Sequence, residues 1–547
     1  MAKNESTERN YDIARAERKS RLAQMKGTDG KKKKIESRSV WKKVTLSVVA
    51  VVVALVLIVW LIAGAGILTK SLTAITIAGH DLKAADLNIV LGNMTASEEY
   101  GLAFTDEFQE VLDQPSQMTA DGTVRSDLIN QMMPGVIFMT AALNEIEKVD
   151  YQPTEEQMAE IEKNAKALEG QLAEMAIKSG RSVGSLVKLY YGPGVSLKMV
   201  QRDLRRAMLI NYYEDEIKKM ADVSDEKVEA FYEENKDVID LYSYNVYIFK
   251  LKVDKDATDD DKKKALDELK QTADKAMAEL SDLSFNAAVL KYVSEEEAEA
   301  IEKNPGDLIR KKARVQELGA PVHDFLKEAG RKSGDAKVIE GKDSVTLVQF
   351  TSRQRDDFKP YSVRHILIAD DPGIAEADKK ADQILKKEAD KVLDEFMKGD
   401  QSEESFVKLV AQYSKDPGSL STGGLYSDVG AGMMAREFEQ WCTEDGRKPG
   451  DSGIVKSTHG YHIMYFVGFK DELELPGKIK GVLEEQHLNT WIETIAKDAE
   501  TTVVRHNSGM KFVGKTDFFG ALFGSAPAAP VPTTIPTTIP TTAATTK

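Results

Sequence analysis

Val363-Arg-His-Ile-Leu-Ile368 and Gly460-Tyr-His-Ile-Met-Tyr-Phe466 are the runs from which the fold is read. Each sets one histidine, His365 or His462, among β-branched, aromatic and aliphatic residues, the composition of a buried strand. Between them lie an amphipathic helical pattern, the segment Tyr413-Ser-Lys-Asp-Pro-Gly418, a Gly423-Gly424 turn and Met434-Ala-Arg-Glu-Phe438. Met434 and Phe438 are four apart and share a face if that segment is helical. A lone strand histidine is usually a satisfied core residue. Two of them, with an acid and an apolar pair in fixed order, point to a site.

Upstream, the chain supplies its own comparison. Gly330-Arg-Lys-Ser-Gly-Asp335 matches Gly446-Arg-Lys-Pro-Gly-Asp451 at a separation of 116, which also pairs Phe350 with Phe466. Ser284-Phe285 and Tyr292 match Ser405-Phe406 and Tyr413 with the same internal spacing. Residues 240–353 therefore read as a second copy of the unit. That copy has lost the chemistry: Val246 stands in the place of His365, Thr346 of His462 and Glu295 of Asp416.

At 547 residues the chain is too long for one core, and roughly three or four domains are expected. Residues 1–43 hold 14 Lys/Arg against 6 Asp/Glu; the remaining residues hold 60 against 83, a net of −23. So acidic a body argues against a nucleic-acid partner, which wants cationic faces. Between Lys43 and Lys70 there are 26 uncharged residues, more than the ~20 that span a bilayer as a helix. Lys31–Lys34, Arg38, Lys42 and Lys43 place the head in the cytoplasm. A cleaved signal peptide is the competing reading, but its apolar stretch is usually ~7–15 residues. With Cys442 as the only cysteine there is no internal disulfide. No cluster has metal-ligand spacing and no Gly-rich phosphate loop is present, so neither cofactor nor metal is expected.

Ala74-Ile-Thr-Ile-Ala78 alternates like a short strand, and helical patterns follow from about Lys83. Thr154-Glu-Glu-Gln157 is a capping box ahead of the stripe Met158, Ile161, Ala165, Leu168, Leu172 and Met175. A late helix carries Leu488, Ile492, Ile495 and Ala499 on one side with Trp491 beside them; Thr501-Thr-Val-Val504 is a further strand candidate. From Ser525 the tail is Ala/Pro/Thr repeats and is expected to be disordered.

The ordered set from Tyr361 to Phe469 resembles a parvulin-type peptidyl-prolyl isomerase. With helices before it and one after, the chain resembles the SurA/PrsA/PpiD group of membrane-anchored extracytoplasmic foldases. The expected architecture is α+β: a cytoplasmic head (1–43), a transmembrane helix (44–69), a helical chaperone region (74–235), a degenerate parvulin-like unit (240–353), a parvulin unit (360–470), a helix and strand returning to the helical region (476–504) and a disordered tail (520–547). The resemblance implies catalytic roles for His365, Asp416, Ser457 and His462, and a proline pocket of Leu425, Met434 and Phe438. It implies clients that are unfolded secreted or envelope proteins with X-Pro bonds, outside the plasma membrane; the oligomeric state is not legible. The loop Asp370-Asp371-Pro372-Gly373 would repel a phosphate. Cys442 reads as a half-buried thiol rather than a nucleophile. The rival reading is an inert holdase or scaffold that binds unfolded secreted chains.

Overall fold

The computed structural model describes residues 12–21, 47–54, 66–95, 104–116, 118–120, 122–253, 258–369 and 379–516. Outside these lie most of the basic head, the centre of the apolar run (55–65), the loop at Asp370-Asp371 and the Ala/Pro/Thr tail. Among the described residues no helix is long and apolar enough to cross a membrane. The chain forms two compact units, one of residues 1–220 and 487–547, the other of residues 221–486. The fold is α+β, as expected.

The first unit is mainly helical around a small sheet. Strand β1 (Thr73–Ile77) pairs antiparallel with β2 (His80–Lys83) on one side and with β11 (Val504–Arg505) on the other. Its burial follows the pattern of a half-covered strand, with Ala74, Ile75 and Ile77 wholly buried. They share a core with Leu87 and Leu91, with Met132, Met133 and Val136, and with Phe512 and Val513. Helix Glu155–Ser179 begins at the capping box: Thr154 Oγ1 accepts from the Gln157 amide and Gln157 Oε1 from the Thr154 amide. It ends on Gly180 in the left-handed conformation. The middle of its stripe is buried, while Met158 and Met175 at the two ends are exposed. In helix Glu474–Glu500 the late residues Leu488, Trp491 and Ile492 pack on Ile146, Ile210 and Tyr213.

The second unit carries two four-stranded antiparallel sheets of one topology. The first comprises β3 (Leu241–Lys250), β4 (Ile309–Ala313), β5 (Ala336–Glu340) and β6 (Ser344–Gln354), in the order β4-β3-β6-β5. The second comprises β7 (Tyr361–Ile368), β8 (Leu425–Val429), β9 (Ser452–Ser457) and β10 (Gly460–Phe469), in the order β8-β7-β10-β9. Strand alternation gives each sheet two apolar faces. In the second, Ile366, Ile368 and Ile463 pack under helices Lys379–Lys398 and Glu403–Tyr413, whereas Val363, Met464 and Phe466 face helix Arg436–Cys442.

The repeated hexapeptide makes the same corner twice. Arg331 lies over the Phe325 ring and donates to its carbonyl; Arg447 does the same at Trp441. Asp335 and Asp451 each accept from the amide three residues back, that of Lys332 and of Lys448, at 2.8 Å. Gly334 and Gly450 sit at φ +95° and +90° and donate to Phe350 and Phe466. Strand register places Val246 opposite Val348 as His365 lies opposite Met464, and Thr346 opposite Ile248 as His462 lies opposite Leu367.

Candidate active site

His365 on β7 and His462 on β10 emerge on the same face of adjacent strands, both almost fully buried. Their rings stack at 5.3 Å with an interplanar angle of 20°, and the two Nδ1 atoms are 3.0 Å apart. Behind His365, Nε2 lies 2.8 Å from Asp416 Oδ2; behind His462, Nε2 lies 2.7 Å from Ser457 Oγ. The four residues form one hydrogen-bonded line across the sheet.

Local structure fixes both ends of the line. The Asp416 segment leaves helix Glu403–Tyr413 and is tied along β7, the Lys415 amide donating to the Leu367 carbonyl and the Leu367 amide to Ser414 Oγ. Ser457 ends β9 one two-residue turn before Gly460, and its oxygen accepts from the His459 amide at 3.0 Å. His459 itself is exposed.

Three donors converge on Asp416 Oδ2: Ser419 Oγ at 2.5 Å, His365 Nε2 at 2.8 Å and the Tyr426 hydroxyl at 3.0 Å. Burial alone would raise this carboxyl. Hydrogen bonds from Ser419, His365 and Tyr426 outweigh it and hold Asp416 down to about 2. His462 is pushed down to about 4, first by burial and then by the neighbouring His365 and His459. His365 is also lowered, burial outweighing the pull of Asp416. The line therefore holds a carboxylate and two neutral imidazoles near neutral pH.

The tautomers follow from that charge state. An ionised Asp416 can only accept, so His365 donates from Nε2 and its Nδ1 accepts from His462 Nδ1–H. His462 Nε2 then accepts from the Ser457 hydroxyl, whose oxygen is left to accept from His459. Every polar atom of the line is satisfied without a buried positive charge.

Phe438, buried on helix Arg436–Cys442, meets both imidazoles edge-on at 5.5 and 5.4 Å. Met434 precedes that helix and packs in the same cluster. Leu425 does not join them. It pairs with Arg364, one residue out of phase with His365, and so belongs to the opposite face of the sheet. Tyr426 takes the inner position, its ring 5.4 Å from His365 and packed against the cluster of Phe438. Of the three residues expected to line a pocket, Met434 and Phe438 therefore lie together, with Tyr426 beside them in place of Leu425. Ser419, wholly buried, is the other residue the sequence reading missed. Its spacing of three from Asp416 in a tight turn was the available signal.

Cys442 is fully buried, and burial pushes its thiol up to about 12. It lies under the sheet as packing, not as a nucleophile. Among the described residues no group of His, Cys, Asp and Glu side chains is arranged to hold a metal ion.

Residues 365–468, the second sheet with its histidine line, match the family described as rotamase, the PPIC-type PPIASE domain. The chain is similar to PrsA foldases. It is 35% identical over 141 residues to foldase protein PrsA 4 of Bacillus cereus, covering 24% of this chain and 42% of that one. It is 33% identical over 181 residues to foldase protein PrsA of a Geobacillus species, covering 30% and 58%. Both matches span less than two thirds of the relative's length. A crystal structure of PrsA from Bacillus subtilis aligns at 13% identity and a TM-score of 0.24, over 71% of this chain and 93% of that one, a likeness too slight to bear on function.

Proposed function

We propose that the chain is a peptidyl-prolyl cis–trans isomerase and folding chaperone that acts on unfolded secreted or envelope proteins. The observation that carries this reading is the line Asp416–His365–His462–Ser457 beneath Phe438. An X-Pro bond turns slowly because amide resonance sets a barrier of ~18–20 kcal/mol. Phe438, Met434 and Tyr426 offer an apolar seat for the proline ring, and gripping it favours an amide twisted out of conjugation. The polar edge of the line then meets the twisted amide with dipoles already oriented, which favours that state over the planar one. No proton transfer or covalent step is required. Asp416 and Ser419 fix the tautomer and the ring of His365; Ser457 fixes those of His462.

Anchoring by residues 44–69, with the head in the cytoplasm and the acidic body outside, is part of the proposal and rests on the uncharged run and its basic flank. Turnover of phosphorylated sites no better than of neutral ones rests on Asp370 and Asp371. A holding role without catalysis is favoured for the first sheet, which keeps the strand order with Val246 and Thr346 in the histidine places. Isomerisation of a proline peptide by the full chain, compared with His462→Ala, tests the reading. Equal rates would discard it.

A further inference from the structure

The loop that carries Met434 is held by two carboxylates: Glu474, which pairs with Lys478 of its own helix at 2.9 Å, and Glu439, which is reached by a cation from the unit of the other sheet. Glu439 Oε2 accepts from the Gly432 amide at 2.5 Å, and Glu474 Oε2 from the Ala431 amide at 3.3 Å. Glu474 also sits so close to Gly430 that a Cβ there would collide with its carboxylate. Glu439 is largely buried, and burial pushes its carboxyl up; Gly432 and Arg314 pull it down, and Glu317 and Glu474 push it up again. Arg314, in the segment after β4, reaches Glu439 Oε1 with Nη1 at 3.8 Å and Asp356 Oδ2 with Nη2 at 3.4 Å. Its guanidinium lies 5.6 Å from the Phe358 ring centroid, and its amide donates to Glu317 Oε1 at 3.0 Å.

Beyond burial, Glu317 and Glu474 both push the Glu439 carboxyl up, so a cation beside Glu439 favours the ionised form that accepts from the Gly432 amide. Glu439 follows directly on Phe438, whose ring touches both histidines. A shift at Glu439 therefore moves the pocket wall and releases the Gly432 amide together. We propose that Arg314, from the sheet without histidines, is a positioning residue for the pocket of the other sheet: through Glu439 it fixes residues 430–434 and the start of the Phe438 helix. The degenerate unit then acts as an internal brace for the isomerase unit. The catalytic consequence rests on the isomerase reading; the brace itself does not.

The full chain is compared with its Arg314→Met, Arg314→Lys, Glu439→Gln and Arg314→Met/Glu439→Gln variants, with His462→Ala as control. Arg314→Met keeps the stem over Phe358 and removes the charge. Amide hydrogen exchange over 430–434 should quicken about fivefold or more in Arg314→Met, with the rest of β7–β10 unchanged. KM for a proline peptide should rise about three- to tenfold, with kcat within about twofold of wild type. Arg314→Lys should restore part of the protection. The double variant should be no worse than the worse single one, as expected of residues acting in one line. Unchanged exchange at 430–434, additive effects of the two substitutions, or Arg314→Lys as loose as Arg314→Met would overturn the proposal. His462→Ala should lower kcat with exchange at 430–434 intact. A wild-type chain without isomerase activity would discard the isomerase reading, and exchange alone would then decide on the brace.

Discussion

Asp416 is a carboxylate with three donors on one oxygen, and the line beyond it depends on its charge. Hydrogen bonds to charged groups contribute about 1.5–3 kcal/mol, so Asp416→Ala should lower kcat/KM about ten- to a hundredfold if the line is catalytic. Peptide isomerisation by a variant of unchanged melting temperature measures this, and wild-type activity would make the constellation structural. His323→Ala, on a helix beside the first sheet, should leave kcat/KM unchanged, because its ring meets the Asp237 carbonyl and the Tyr242 ring of that unit and no residue of the histidine line. The titrating groups also set a pH dependence of stability. His462 and Asp416 are both depressed in the folded protein, so the unfolded chain binds more protons as pH falls. Their contribution is complete above the ordinary histidine value and is lost as pH drops. His462 loses its share from 6.5 towards about 4, an effect on the order of 3 kcal/mol, and Asp416 loses its own from 3.8 towards about 2. Urea unfolding at stepped pH should show this decline. His462→Gln should flatten the upper part and spare the lower; an unaltered slope would contradict the buried neutral imidazole.

At the scale of elements, the sheet turns on Gly423-Gly424. Gly424 sits at φ +76°, its carbonyl accepts from the His365 amide at 2.9 Å, and an added Cβ would lie 2.5 Å from the His365 carbonyl oxygen. Gly424→Ala should therefore cost on the order of 1–3 kcal/mol and disturb His365, measurable as a lower melting temperature with reduced activity. This turn also explains what the sequence could and could not reveal. The histidines, Asp416, Ser457, Met434 and Phe438 were legible because composition and order mark them locally. Leu425 was misplaced because strand parity after a double glycine is set by register, and a one-residue shift exchanges the faces. The matched Gly-Arg-Lys-x-Gly-Asp loops were legible because a tight corner demands those residues; the strand expected over Thr501–Val504 forms only as β11, Val504–Arg505, because the Thr501 and Thr502 hydroxyls fold back onto the Asp498 and Ala499 carbonyls of the preceding helix. The pairing of β11 with β1 more than 400 residues earlier, and the burial of Phe512 and Val513 beyond it, leave no local trace.

At the scale of the molecule, the first unit is completed by chain from both of its ends. Trp491 meets Phe138 and Tyr213 edge-on at 6.2 and 5.7 Å, so Trp491→Ala should destabilise that unit by roughly 3 kcal/mol. Thermal unfolding should report it, and an unchanged transition would mean that the late helix is a passenger. For the proposed anchor, protease added to intact cells should digest the chain beyond about residue 70, the outer end of the apolar run, and spare the basic head. A secreted form beginning near Leu68 would contradict it. The central claim is that a line of two neutral histidines, an aspartate and a serine under Phe438 turns X-Pro bonds. The most direct measurement is the isomerisation rate of a proline peptide, by exchange NMR, with the full chain and with His365→Ala/His462→Ala. Rapid exchange is expected with the wild type, none above the uncatalysed rate with the double variant, and undiminished suppression of client aggregation by both. Equal rates from the two proteins, each folded, would contradict it.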